Sequence, residues 1–165
     1  MAKVRPMPPI IIDTRERTPL EFKGHATEVR GLKTGDYSLD GCTEVLCLER
    51  KMPRELFSMC TGARPRFERE LERMQAMNAK PNGRASVIIE GSMAFVIASK
   101  PKQSKLKPAT VLRAIASWET RFGVPFHFAG GKIQGETREH TAREYATAWT
   151  FTMLAKWWQW FGDNP

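Results

Sequence analysis

Three carboxylates and a lysine stand out in the first third of the chain: Asp13, Asp36, Glu49 and Lys51. Asp13 closes the apolar stretch "PIIIDT", Asp36 lies in the turn "TGDY", and Glu49 and Lys51 end "TEVLCLERK". In an extended strand, residues two apart share a face, so Glu49 and Lys51 stand side by side while Arg50 turns away. Carboxylate oxygens converging with a lysine suit Mg2+ or Mn2+ rather than a softer metal. Such an ion can activate a water and neutralise charge building on a phosphate, while the lysine orients the water or stabilises the developing oxyanion. That chemistry is phosphodiester hydrolysis. On spacing alone, however, D-x12-E-x-K is a loose pattern. A strand-end Glu and Lys forming a surface ion pair, worth less than about 1 kcal/mol, is an equal alternative.

The elements that must position these residues can be read along the chain. Pro9 to Thr14 and Thr27 to Leu32 read as strands, with Gly35 marking a turn, and Glu44 to Glu49 as a third strand. Pro53 opens a helix carrying Leu56, Phe57 and Met59. A second helix is predicted over 65–78, with Phe67, Leu71, Met74 and Met77 on one face. A strand over 85–91, a helix over 109–122, a short strand in "VPFHFA" and a long aromatic helix from Thr137 to Trp160 follow. Strands first, then strands alternating with helices, give an α/β class with a mixed sheet and flanking helices. At 165 residues a single domain, 1–165, is expected.

The composition bounds the partners. Lys and Arg total 26 against 18 Asp and Glu, and the resulting +8 favours a polyanion such as nucleic acid, although charge also serves solubility. Cys42, Cys47 and Cys60 are odd in number and form no C-x-x-C, so neither a disulfide framework nor a zinc site is supported and a reduced, cytoplasmic setting is expected. Prolines at 6, 8 and 9 break any leader-like apolar region, and no run approaches the roughly 18 residues needed to cross a bilayer.

"GDYSLDGCTEVLCLERKMPREL" resembles the signature of the XPF-type structure-specific nuclease domain, the family that includes XPF and Hef: a Gly-Asp-Tyr turn, a strand ending Glu-Arg-Lys, then an acid and a leucine. "IIIDTRE", "ARPRFERELERM" and "ASVIIEG" resemble the family's opening strand, a later helix and the strand after it, in the same order, and "TVLRAIASWETRFGVPFHFA" its final helix and strand. The resemblance implies a restriction-endonuclease-like fold and a Mg2+- or Mn2+-dependent DNA endonuclease acting on branched, flap or junction DNA. Carried over, Asp13, Asp36 and Glu49 become the metal-binding acids, Lys51 the catalytic lysine, and Glu16 and Arg50 supporting site residues. The family usually has Asp where this chain has Glu55, which leaves that residue's part in the site open. Nothing after Gly130 resembles the family's tandem helix-hairpin-helix domain, so a stand-alone nuclease core is expected. The alternative function is a catalytically weak DNA-binding accessory protein of phage or mobile-element recombination.

Lys100, Lys102, Lys105 and Lys107 in "SKPKQSKLKP", with Arg64 and Arg66 at the head of the second helix, are candidate phosphate contacts. A solvated loop and ordinary i,i+4 pairing with Glu68, Glu70 and Glu72 are the rivals. His25, His127 and His140 share no ligand spacing. In the last helix, Tyr145, Trp149, Met153, Trp157 and Trp160 are predicted to face the core, leaving Phe151, Leu154, Trp158 and Phe161 for a homodimer contact over 150–161, with capping of the sheet or stacking on unpaired bases as the rivals.

Overall fold

The apolar runs of the first ninety residues fold into the middle of one mixed sheet. In the computed structural model, which describes residues 5–130 and 141–163, the strands are β1 (Ile10–Ile12), β2 (Thr27–Val29), β3 (Tyr37–Leu39), β4 (Leu46–Lys51), β5 (Arg84–Ile89) and β6 (Phe126–Phe128). The helices are α1 (Pro53–Met59), α2 (Arg64–Asn78), α3 (Met93–Ala98), α4 (Pro108–Phe122) and α5 (Ala142–Asp163). The sheet order is β2-β1-β3-β4-β5-β6. β3 runs antiparallel to both β1 and β4, and β4, β5 and β6 are mutually parallel. The α/β class with a mixed sheet and flanking helices is therefore as expected.

This topology gathers the polar ends. β1 and β4 each run antiparallel to β3, so their C-terminal ends lie at the same sheet edge as the start of β3. Asp13, Asp36 and the Glu49–Lys51 segment thus share that edge, and β5, parallel to β4, adds Glu90.

Alternation along β4 and β5 divides the core. Cys47, Ala85, Val87 and Ile89 pack with α1, α2 and α4, whereas Leu46, Leu48 and Ile88 pack with α5 and the β1–β3 side. On the first side, Phe67 meets Trp118 edge-on at 5.0 Å and Trp118 stacks on Phe126 at 6.3 Å, contacts worth about 0.5–1.5 kcal/mol each beyond their buried area. Pro53 and Pro108 open α1 and α4, and Gly123 closes α4 in the left-handed conformation at φ 62°.

Several boundaries differ from expectation. β4 continues through Lys51, so Glu49, Arg50 and Lys51 belong to the strand itself. β3 and α3 have no counterpart in the sequence reading, β3 because its three residues lie between turn glycines. The predicted start of the last helix at Thr137, like His140, lies outside the described residues. On α5 the structure places Trp157 inside and Phe151 outside as expected, but reverses Leu154 and Trp158, which are buried, and Trp149 and Trp160, which are exposed. Trp158 is fixed by its indole N–H, which donates to the carbonyls of Arg5 and Pro6 at 3.3 and 3.1 Å. Among the described residues no helix is long and apolar enough to cross a membrane.

Candidate active site

A cavity of about 370 Å³ opens at the sheet edge where these strand ends meet. Asp36, Glu49 and Lys51 line it together with Glu16, Arg50, Glu55 and Arg66. Gly35 brings Asp36 there. Its φ of +78° and the 2.8 Å that a Cβ would leave to the Cys47 side chain admit only glycine at this close crossing. The Asp36 backbone then donates to the Leu48 carbonyl at 2.9 Å, and its carboxylate accepts the Arg50 backbone N–H at 2.8 Å. A half-buried side chain is thereby latched across β4.

Glu49 is buried and its carboxylate accepts a hydrogen bond from the Lys51 ammonium, the same-face neighbour that strand alternation requires. Burial, and then the negative charge of Asp36, push the Glu49 carboxyl up to about 8. Burial raises Asp36 to about 6, against the pull of Lys51. Burial works against the Lys51 ammonium, but the Glu49 carboxylate beside it more than compensates, and its pKa lies above the ordinary lysine value.

The back of β4 carries the support. Arg50 is buried, donating to Glu90 at 2.7 Å, to the Thr18 hydroxyl at 3.1 Å and to Glu16 at 3.3 Å. Glu16 also accepts from the Tyr37 hydroxyl at 3.4 Å. Arg143 of α5 donates to the carbonyls of Thr18 and Pro19, which ties the last helix to the site loop. Glu16 and Arg50 are thus joined in one network with Glu90 and Thr18.

Asp13 does not take the expected place. It is buried, but its carboxylate accepts from the Arg15 guanidinium at 2.6 Å and from the backbone of Leu32 at 2.6 Å and Arg15 at 2.9 Å, and it does not line the cavity. These hydrogen bonds outweigh burial and hold its pKa below the ordinary value. β1 ends at Ile12, so Asp13 begins a turn whose own Arg15 captures it. Arg15 itself lines the cavity. Glu55 also lines it, yet its carboxylate accepts the Met52 backbone N–H at 2.7 Å and so caps α1.

Arg66 reaches the cavity, whereas Arg64 is bound to Glu68 at 2.9 Å. Lys100, Lys102, Lys105 and Lys107 are exposed in the connection between α3 and α4 and do not line the cavity. Glu70 of α2 does line it and accepts the Gly35 backbone N–H at 3.2 Å. Glu70 and Glu90 were missed by the sequence reading. The first sits in a Glu/Arg-rich helix that reads as surface pairing, and the second ends the strand "ASVIIEG", whose resemblance to the family's strand gave that glutamate no role.

Asp36 and Glu49 fit a hard divalent cation. Two carboxylates largely shielded from water, with Asp36 raising the pKa of Glu49, are what such an ion neutralises. Among the described residues no three His, Cys, Asp or Glu side chains form a complete ligand set.

A six-stranded mixed sheet with acids and a lysine at one edge defines a nuclease-like class of fold. The ERCC4 domain matches residues 12–142, and the chain belongs to that family of nuclease domains. Its fold is similar to that of XPF from Aeropyrum pernix, with a TM-score of 0.60 and 18% identity over 90% of this chain. The chain spans 64% of the length of that structure. No curated protein matches the chain.

Proposed function

We propose that the protein is a divalent-metal-dependent DNA endonuclease that hydrolyses phosphodiester bonds at branched, flap or junction structures. The observation that carries this reading is the cavity in which Asp36, Glu49 and Lys51 face one another at the sheet edge. Asp36 and Glu49 would hold Mg2+ or Mn2+, which when bound supplies Lewis acidity to the phosphate. Lys51, held charged by Glu49, orients the attacking water or stabilises negative charge on the phosphate oxygens. Arg66 at the cavity and the exposed lysines at 100, 102, 105 and 107 are available to the flanking phosphates. Arg50, Glu16 and Asp13 act behind these groups. Arg50 fixes the strand through Glu90, and Asp13 positions Arg15.

The same reading extends to assembly and setting. Trp149 and Phe151 are exposed on α5 and supply the kind of aromatic patch on which a homodimer pairs. The three cysteines are free thiols, which suits a reducing, cytoplasmic setting.

Incubation with labelled duplex, flap, fork and four-way-junction DNA in Mg2+, Mn2+ or EDTA tests the function. Cleavage of branched DNA in either metal and none in EDTA is expected. Binding without cleavage under every condition would favour the DNA-binding accessory instead.

A further inference from the structure

A second cleft, of about 500 Å³, lies on the other face of the sheet, between the starts of β4 and β5 and helix α5. Its floor is defined by register. Leu48 pairs with Ser86, and Ile88 with His127, so Ser86 and His127 lie on one face as diagonal neighbours. Around Ser86 that face is apolar, formed by Leu46, Leu48 and Ile88, with the Arg50–Glu90 pair at its far end, and Ser86 is 3% exposed in the interior of a central strand. Among the described residues, neither the Ser86 hydroxyl nor Nε2 of His127 has a hydrogen-bond partner, and both atoms are buried. An orphaned buried polar group is costly and normally partnered; Thr150 Oγ1 of α5 is a third, and the two residues that line one cleft, Ser86 and His127, point to an absent ligand there.

The lining narrows its chemistry. Burial pushes the His127 ring below its ordinary pKa, so at neutral pH it is uncharged and, like the serine hydroxyl, able to donate or accept. Such a pair suits the edge of a planar group that itself mixes donors and acceptors. The indoles of Trp157 and Trp160 provide an aromatic wall, and Arg84 and Lys156 place two cations at its rim, the former 5.3 Å over the Trp160 ring. A planar base, a stacking wall and cations for a phosphate describe one ligand class.

We infer that this cleft binds a nucleotide, its base between Trp160 and the sheet floor of Ser86 and His127, and its phosphate at Arg84 and Lys156. The nucleotide can be free or an unpaired unit of a DNA strand, and the base-reading chemistry is the same for both. This site is separate from the metal-dependent cavity, and nothing in it depends on cleavage.

The test follows the indole N–H signals of Trp157 and Trp160 by NMR in EDTA, where no metal-dependent step contributes. The chain is titrated with deoxynucleoside monophosphates, deoxyribose 5-phosphate, a short single strand, and that strand with one abasic position. Base-bearing ligands are expected to shift both signals and the sugar phosphate is not. Tighter binding by the intact strand than by monophosphates and the abasic strand identifies the DNA unit, and the reverse identifies the free nucleotide. Ser86→Ala should weaken binding about five- to tenfold without lowering the melting temperature, because it removes a hydroxyl that has no partner in the free protein. Arg84 is exposed, and Arg84→Ala should weaken phosphate-bearing ligands while leaving the fold intact. A cleft filled by water only, seen as no shift at millimolar ligand, would overturn the assignment. So would equal affinity in the wild type, Ser86→Ala and Arg84→Ala, or shifts that follow protein concentration without ligand, which would make the occupant a second copy.

Discussion

Arg50 donates to Glu90 at 2.7 Å directly behind the strand whose front carries Glu49 and Lys51. Both side chains are buried, and each has one further opposite charge in reach, Glu16 at 3.3 Å from Arg50 and Arg143 at 3.9 Å from Glu90. Removing one partner of a buried pair costs about 3–5 kcal/mol, and the remaining contact of Arg50 with Glu16 keeps the loss at the lower end of that range. Glu90→Ala is therefore expected to lower stability by about that amount in urea denaturation. A loss below about 1 kcal/mol, typical of an exposed pair, would contradict the assigned role.

Asp36 and Glu49 give the metal-free protein a pH dependence of definite sign. Their pKa values are raised to about 6 and about 8 on folding, so the native chain holds more protons than the unfolded one. Stability should then fall as pH rises from the ordinary carboxyl range near about 4 through those values. Asp36→Asn removes one of these charges and should melt at or above the wild-type temperature at pH 8, with the advantage shrinking at pH 5. Mg2+ at about a hundredfold excess over its dissociation constant should stabilise the wild type by about 2.7 kcal/mol at pH 8 and the variant less. Melting curves with and without metal check both points.

Much of the site was legible because its residues sit where alternation and turn chemistry act locally. The run Val45 to Leu48 announces a buried strand, the period of two pairs Glu49 with Lys51, and Gly35 announces the turn that delivers Asp36. What failed needed tertiary knowledge. Asp13 shares the sheet edge, but Arg15, two residues on, captures its carboxylate. β3 is three residues long and exists through its pairing with β1 and β4. α5 is aromatic on every side, so spacing could not choose its inner face, where the small Ala146 and Thr150 lie with Leu154, Trp157 and Trp158.

Glu55 is expected to matter to helix α1 more than to the chemistry. Its carboxylate accepts the Met52 N–H, and Asp, one methylene shorter, reaches this donor less well. Glu55→Asp should cost about 0.5 kcal/mol of stability and cleave DNA at or above the wild-type rate. A collapse in rate with the fold intact would give Glu55 a direct part in the site.

The two sides of α5 separate packing from pairing. Trp158→Glu places a charge among buried groups and should prevent folding, since even truncating a buried aromatic costs about 3–5 kcal/mol. Trp149→Glu with Phe151→Glu changes exposed positions and should fold. Light scattering at tens of micromolar is expected to give a dimer for the wild type and a monomer for the double variant. A monomeric wild type would remove the homodimer.

The central claim is that Glu49 and Lys51, side by side on β4, carry metal-dependent cleavage. Single-turnover cleavage of a branched DNA in Mg2+ by the wild type, Glu49→Gln and Lys51→Ala, each with its DNA affinity measured in parallel, tests it most directly. Both variants are expected to bind DNA nearly as the wild type does and to cut at least about a hundredfold more slowly. Wild-type rates from folded Glu49→Gln would contradict the claim.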